Sequence, residues 1–341
     1  MRKRFTYKDA GVDLDAADRF EEMIKERVHA VWPEMGEQIG RFAGRGRIPA
    51  GAVEIAGPTD GTGSKMLVAA MLGDFAGIGQ DAVAMAAVDA YVDGSRPLYI
   101  TDTLKVARLK PELHIRIIES VIRGCVLAGC KLFNGETAER PDLFRSFWMA
   151  DLDATAFAFP EPALERAPVI PGQKVYGWPS YGPAANGFSL IRKLFDIERK
   201  NKDALTRLAR RHRDLGESLA EALLRPTPIW IPQIEEQRKR GVVFSGHAHI
   251  TGGGMPGNIP RILPFDCKVI IDRNRWDRPP IFSLIQRKGG IGTEEMLRVF
   301  NEGIIMVSIV DGGSEDINDP HAILIGQVER RRGDEPQVEF W

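Results

Sequence analysis

The sequence is poor in cysteine: among 341 residues only Cys125, Cys130 and Cys267 carry a thiol. The odd count excludes a fully paired disulfide framework. Cys125-Val-Leu-Ala-Gly-Cys130 also lacks the two-residue spacing of a zinc knuckle or a redox pair, so all three are expected as reduced, mostly buried thiols. Long apolar runs are missing too. No stretch approaches the ~18 residues of a membrane span, and Asp9, Asp13, Asp15 and Asp18 stand where a secretory leader behind Met1-Arg2-Lys3-Arg4 would be apolar. A cytoplasmic protein with no membrane partner is expected. Neither sign of charge is in excess: 46 Lys plus Arg against 47 Asp plus Glu leaves −1, so no global field draws in nucleic acid. Any anion must be held by local geometry. No Gly-x-Ser-x-Gly elbow occurs either, which disfavours hydrolytic acyl transfer.

What is present is glycine, 35 residues against a usual share of ~7%, and enough length for about two domains at ~150 residues each. Pro160, Pro162, Pro168 and Pro171 mark the joint, dividing the chain into 1–165 and 166–341. The apolar periodicity predicts an extended arm at 5–12, then a helix through Phe20, Met23, Ile24 and Val28 closed by Pro33 and Gly36. A short strand is expected at 52–55, and a strand or short helix at 66–72. Helices are expected at 81–92 and 111–128, the second stopped by Gly129, with a buried strand at 98–100 between them. Residues 134–139 read as a polar loop. Beyond the joint come a strand at 174–177, a loop at 180–187, helices at 188–195 and 204–224, and a solvated, charge-mixed tail at 329–341.

Chemistry is expected first in Asp60-Gly61-Thr62-Gly63-Ser64-Lys65. Two glycines let backbone amides turn toward a ligand, Ser64 offers a hydroxyl, Lys65 a mobile positive charge, and Asp60 a hard oxygen for Mg²⁺. The order of lysine and serine is not that of a Walker loop, and Met66 breaks a Rossmann fingerprint. Phosphate binding and an ordinary turn with an exposed lysine both remain open. Asp81, Asp89, Asp102 and Glu136 add carboxylates to the same half, each also explicable as a cap or surface charge. A second anion-friendly loop is His249-Ile250-Thr251-Gly252-Gly253-Gly254, with Arg261 nearby to add a fork-shaped guanidinium. His247 and His249, two apart on one strand, are expected to place one ring inside and one outside.

Six motifs resemble, in order, those of the phosphoribosylformylglycinamidine cyclo-ligase (aminoimidazole ribonucleotide synthetase) family. They are Tyr7-Lys8-Asp9-Ala10-Gly11-Val12-Asp13, the run from Thr59 to Lys65, Ile78-Gly79-Gln80-Asp81, Gly135-Glu136-Thr137-Ala138-Glu139, Gly182-Pro183 with Asn186-Gly187-Phe188-Ser189, and His249 to Gly254 with Asn258-Ile259-Pro260-Arg261. The resemblance implies a two-domain α/β (α+β) protein. Its N-terminal sheet-and-helix domain would bind ATP and dimerise by sheet pairing, and a C-terminal α/β domain would follow. It implies ATP- and Mg²⁺-dependent closure of formylglycinamidine ribonucleotide to aminoimidazole ribonucleotide in purine synthesis, by a homodimer acting on a small ribonucleotide. Carried over by motif, Lys65, Asp60 and His249 would be catalytic. Gly61, Thr62, Gly63, Ser64, Glu136, Asn186, Thr251, Gly252, Gly253 and Arg261 would bind nucleotide, and Asp60, Asp81, Asp89 and Asp102 would hold metal.

The chain departs from the family pattern at several positions. Ala184-Ala185 replaces a His-Ser pair, removing an imidazole and a hydroxyl, and Val88 replaces an asparagine before Asp89. Ser64 replaces a threonine, Asn134 a glycine, and Glu139-Arg140-Pro141-Asp142 a Glu-Met-Pro-Gly run. Two alternatives follow from these losses: a relative in the same ATP-binding superfamily that phosphorylates another acceptor, or a non-catalytic nucleotide-binding paralogue.

Overall fold

A computed structural model describes residues 11–41, 43–164 and 166–341, and the expected arm at 5–10 lies outside them. The chain divides into two compact units, the first made of 1–90 and 96–160, the second of 91–95 and 161–341. The second unit therefore takes a five-residue segment from the N-terminal half.

The first unit opens with α1 (Leu14–Val31) and α2 (Pro33–Gly36). Asp13 caps α1 by accepting from the Ala16 amide, and Phe20 and Val28 are its buried face. Pro33 begins α2 at the position where a missing N–H does no harm. Then follow β1 (Thr59–Gly61), α3 (Lys65–Leu72), α4 (Ile78–Val92), β2 (Ser95–Val106), α5 (Pro111–Ala128), β3 (Lys131–Glu139) and β4 (Ala150–Pro160). The four strands form one sheet in the order β1-β4-β2-β3, with β1 antiparallel to β4 and β2 parallel to β3. The α5 boundaries coincide with those expected, since Pro111 takes the first helical position and Gly129 turns left-handed at φ 72° to end it.

Two expectations in this unit are corrected, and one left open is decided. Residues 52–55 form no strand; Val53 and Ile55 are 94% and 60% exposed, and only an Ala56–Ala158 bridge joins the sheet nearby. The 66–72 run, expected as a strand or a short helix, is the helix. The supposed loop at 134–139 is the second half of β3, because its backbone pairs with β2 from Thr101 to Val106 and so satisfies its amides despite polar side chains.

The second unit contains β5 (Lys174–Pro179), α6 (Phe188–Leu194), α7 (Lys202–Ala209), β6 (Arg211–His212), β7 (Glu217–Ser218), α8 (Leu219–Leu224) and α9 (Ile231–Lys239). It continues with β8 (Phe244–His249), α10 (Gly254–Asn258), β9 (Cys267–Ile271), α11 (Pro280–Gly289), α12 (Thr293–Val299), β10 (Ile304–Val310), β11 (Ile323–Arg330) and β12 (Val338–Phe340). Six strands make a mixed sheet, β12-β9-β11-β5-β10-β8, whose one parallel pair is β12 with β9. Val175, Val269, Ile271, Val307 and Ile325 fill its core.

The single helix expected at 204–224 is broken. A two-residue hairpin, β6 with β7, intervenes, and α8 restarts with a capping box in which Ser218 and Glu221 satisfy each other's backbone amides. The tail is not a solvated end: β12 pairs along β9, and Val338 is 8% exposed. His247 and His249 are both buried, at 2% and 4%, rather than one in and one out. The Tyr91 and Phe244 rings cover His247, whose Nδ1 lies 2.8 Å from Ser308 Oγ. Burial, then the Arg238 charge, holds the His247 pKa well below its ordinary value. The three cysteines are unbridged and buried.

Candidate functional site

The first group of site residues is built where β1 turns into α3. Gly61 stands opposite Asp153 in the β1–β4 register, and a Cβ there would lie 2.4 Å from Asp153 Oδ1, so a larger residue would have to displace that side chain. Asp60, exposed on this edge strand, accepts the Gly61 amide at 2.7 Å. Gly63 takes a left-handed φ of 50°, and the chain enters α3 through Ser64, whose side chain does not cap the helix. Thr62 is fully buried; its amide donates to Leu152 O, while its Oγ1 has no hydrogen-bond partner among the described residues. The glycine turn leads into the helix N-terminus and its positive dipole end, an arrangement suited to phosphate.

Lys65 is not the mobile cation expected. It is fully buried, and its Nζ lies 2.7 Å from Asp81 Oδ2, itself fully buried. Burial lowers the Lys65 pKa, and the Asp81 charge opposes that shift. Asp81 reaches this place because α4 closes on α5. A Cβ on Gly79 would meet Ile117 O and Val121 N at 2.3 Å, and the Gln80 amide donates to Ser120 Oγ at 3.0 Å. Asp89 sits two turns further along α4, half-buried.

Asp102 and Glu136 are brought together by the parallel pairing of β2 and β3, in which Asp102 faces Gly135 and Thr103 faces Glu136. A Cβ on Gly135 would lie 2.2 Å from Asp102 Oδ1. The two carboxylates line a cavity of about 260 Å³ against α1, together with Asp18, Glu21, Arg41 and Thr137. Burial pushes the Asp102 pKa from 3.8 up to about 7.

Between about pH 4 and pH 7 the folded chain keeps a proton on Asp102 that the unfolded chain has released, so stability falls as pH rises through that window. Asp102→Asn is expected to flatten this slope and to raise the melting temperature at pH 8. Thermal melts of both proteins from pH 4.5 to 8 check it, and superimposable pH profiles would count against it.

The second group lies in the second unit. Asn258 Nδ2 donates to Gly252 O and Gly254 O, at 3.2 and 2.8 Å, and braces the loop after β8. Gly253 and Gly254 are left-handed at φ 98° and 59°. Asn186 meets this loop: a Cβ on Gly252 would lie 3.9 Å from Asn186 Oδ1, and Asn186 Nδ2 is buried with no hydrogen-bond partner among the described residues. Thr251 is half-buried and its amide donates to His249 O. Arg261 is exposed in the short turn Ile259–Ile262.

The segment 297–303, which sequence reasoning passed over, anchors both loops. A Cβ on Gly187 would lie 2.2 Å from the Phe300 ring, and one on Gly254 would lie 1.8 Å from Leu297 O. Asn301 Nδ2 donates to Gly182 O at 3.1 Å. Glu302, left-handed at φ 52° and 1% exposed, is held by Arg278 at 2.6 Å and Arg273 at 3.3 Å. The available signal was Asn301-Glu302-Gly303, a turn sequence directly ahead of the apolar run 304–310. Ala184, at the family's imidazole position, is buried and left-handed at φ 57°, a conformation that costs a non-glycine residue ~1–2 kcal/mol.

Among the described residues no group of three or more His, Cys, Asp or Glu side chains is arranged to hold a metal. A divalent cation here would take most of its oxygens from phosphates and water, which is how Mg²⁺ is usually held.

Comparison with known proteins places these features in context. Residues 47–149 match the family described as AIR synthase related protein, N-terminal domain, and 171–339 its C-terminal domain. The chain is 39% identical over 323 residues to a phosphoribosylformylglycinamidine cyclo-ligase of Desulfitobacterium hafniense, covering 90% of this chain and 89% of the relative. It is 38% identical to that of Citrifermentans bemidjiense, with 95% of each chain covered. In Syntrophus aciditrophicus the figure is 35% with both chains fully covered. Among solved structures the fold is similar to the Escherichia coli hydrogenase maturation protein HypE (TM-score 0.60, 15% identity, 96% of this chain and 93% of that one). It is also similar to thiamine monophosphate kinase from Aquifex aeolicus (TM-score 0.54, 16% identity, 84% and 87%).

Proposed function

Because the chain belongs to the phosphoribosylformylglycinamidine cyclo-ligase family, we infer that it closes the imidazole ring of formylglycinamidine ribonucleotide with ATP, yielding aminoimidazole ribonucleotide, ADP and phosphate. The observation that carries this reading is similarity along the whole chain at 35–39% identity, across both halves that bear the glycine loops.

An amide oxygen is a poor leaving group, so the reaction needs two steps. The amide oxygen attacks the γ-phosphorus of ATP and ADP departs. The neighbouring nitrogen then attacks the activated carbon, a C–N bond forms, the C–O bond breaks, and phosphate leaves. Catalysis of the first step is chiefly alignment and neutralisation of phosphate charge. The α3 N-terminus, entered through the left-handed Gly63, supplies a fixed positive end for that purpose.

Lys65 and Asp81 take a supporting role: their buried ion pair holds α3 on α4 and fixes the glycine turn from below. His249 likewise positions Thr251 through its backbone carbonyl. Asn186, Thr251, Gly252 and Gly253 contribute polar groups and close backbone approach to a bound nucleotide, with Arg261 at the edge of that loop.

Asp102 suits a cation on its own chemistry, being a buried hard-oxygen donor whose ionised form lacks a compensating charge. Glu136 shares its cavity; Asp60 and Asp89 complete the proposed oxygen donors. When bound, Mg²⁺ supplies neutralisation of phosphate charge.

We also place the chain in the cytoplasm as a homodimer. Unbridged thiols suit a reducing compartment. Exposed Ile48, Val53 and Ile55 lead into the edge strand β1, an apolar face that a second sheet would cover.

One observation favours the second reading, phosphorylation of another acceptor: Ala184 and Ala185 carry no proton-transferring group where the family has two. Purified protein with formylglycinamidine ribonucleotide, ATP and Mg²⁺ is expected to form aminoimidazole ribonucleotide in step with ADP. ATP consumption only with a different acceptor would establish the second reading instead.

A further inference from the structure

Several strands of the first unit start or finish at one end of its sheet. Thr62 N donates to Leu152 O, Ala107 N to Met149 O, and Arg140 N to Val106 O, so the glycine turn, the 107–110 segment and the 140–149 connection lie at that end. There the second and third of these segments enclose a cavity of about 470 Å³.

Its walls have an unusual composition. Arg108, Lys110 and Arg145 contribute three cations, Phe144, Phe147 and Trp148 three aromatic rings, and among the described residues no carboxylate lines it. Among the described residues none of the three cations is in an ion pair. Arg108 stands over the Phe147 ring at 6.0 Å, and Phe147 is 70% exposed, leaving its other face open to the cavity side.

The framework beneath is fixed. Glu139, at the end of β3, accepts the Leu109 amide with Oε1 and the Asp13 amide with Oε2, both at 2.8 Å. These bonds tie the 107–110 wall to the start of the connection and to the α1 cap.

Uncompensated cations around a concavity call for a compact anion, and guanidinium forks match phosphate oxygens in particular. Aromatic walls call for a flat, conjugated group. The volume falls in the range of small-molecule sites, ~300–1,000 Å³. We propose that this cavity is the acceptor subsite: the 5′-phosphate of the ribonucleotide rests on Arg108, Lys110 and Arg145. Its planar amidine, and the imidazole ring that replaces it, lies along Phe144, Phe147 and Trp148. The identity of the ligand rests on the cyclo-ligase reading, whereas the anionic, planar chemistry rests on the walls alone. The placement puts acceptor and glycine turn at the same end of one sheet.

The test uses the full chain and formylglycinamidine ribonucleotide as the probe, read both by equilibrium titration and by turnover. Arg108→Ala combined with Arg145→Ala, and Phe147→Ala separately, are expected to weaken binding and raise KM for the ribonucleotide at least tenfold. KM for ATP should stay within twofold, and Arg145→Lys should recover part of the loss. These side chains are exposed, so melting temperatures should match the parent. Unchanged ribonucleotide affinity in the variants, an equal rise in KM for ATP, or no binding to the parent protein overturns the proposal. Binding to the parent that the variants lose, without any turnover, upholds the subsite and sinks the cyclo-ligase reading instead.

Discussion

Lys65→Met is expected to lower the unfolding free energy by about 3–5 kcal/mol, because it leaves the Asp81 carboxylate buried without its cation. Asp81→Leu alone should cost a similar amount, stranding the ammonium instead. The double variant, with neither charge, is expected to recover most of either loss, since a buried ion pair gains little net energy over apolar groups of similar volume. Denaturant unfolding of the four proteins at one pH measures the coupling. Additive losses, or a Lys65 variant as stable as the parent, would show that the two groups do not act as a pair. Turnover adds a second readout: if the pair supports the glycine turn, the double variant regains stability while KM for ATP stays raised.

Gly254→Ala carries the other large effect. Its Cβ would lie 1.8 Å from Leu297 O at a residue with φ of 59°, so both sterics and backbone conformation oppose it. Neither obstacle is the movable end of a side chain; the loop must shift away from the α12–β10 turn. A loss of about 2–4 kcal/mol in stability is expected. A displacement of about 1 Å in a positioning loop can also lower turnover ~100-fold. Gly257→Ala, three residues on in the same short helix, is the control: nothing lies within 4 Å of its Cβ, and a neutral or slightly stabilising result is expected. Equal behaviour of the two variants would remove the Gly254 contact from the account.

Local signals were legible where a residue's own conformation sets the outcome. Pro111 and Gly129 bound α5 as expected because one tolerates the first helical turn and the other supplies a left-handed stop. Asp13 starts α1 by a similarly local effect, its side chain accepting from its own helix, although its place there was not read as a cap. Much of the candidate site was legible for a related reason. Gly61, Gly63, Gly253 and Gly254 stand out in sequence; Gly63, Gly253 and Gly254 take the left-handed conformation, and Gly254 also meets backbone where a Cβ would stand.

What misled was polarity taken as a sign of loop. Residues 134–139 are polar and yet form half of β3, since backbone pairing with β2 decides the matter and side-chain character does not. The same holds for the tail, whose charges conceal the run that pairs with β9. In 204–224 the helical periodicity continued across a hairpin, and the Ser218 capping box that restarts the helix was hidden inside the pattern.

The sequence by itself determined the family, the two-part organisation of its motifs, the glycine turns and the carboxylates near them, because these depend on residue type and order along the chain. Tertiary structure alone decided that Lys65 is buried against Asp81, that Asp102 shares a cavity with Glu136, and that 297–303 supports both loops of the second unit. It also gathered Arg108, Lys110 and Arg145 around one concavity. Burial, pairing and electrostatic potential belong to groups distant in sequence, and only the folded chain brings those groups within a few ångströms of one another.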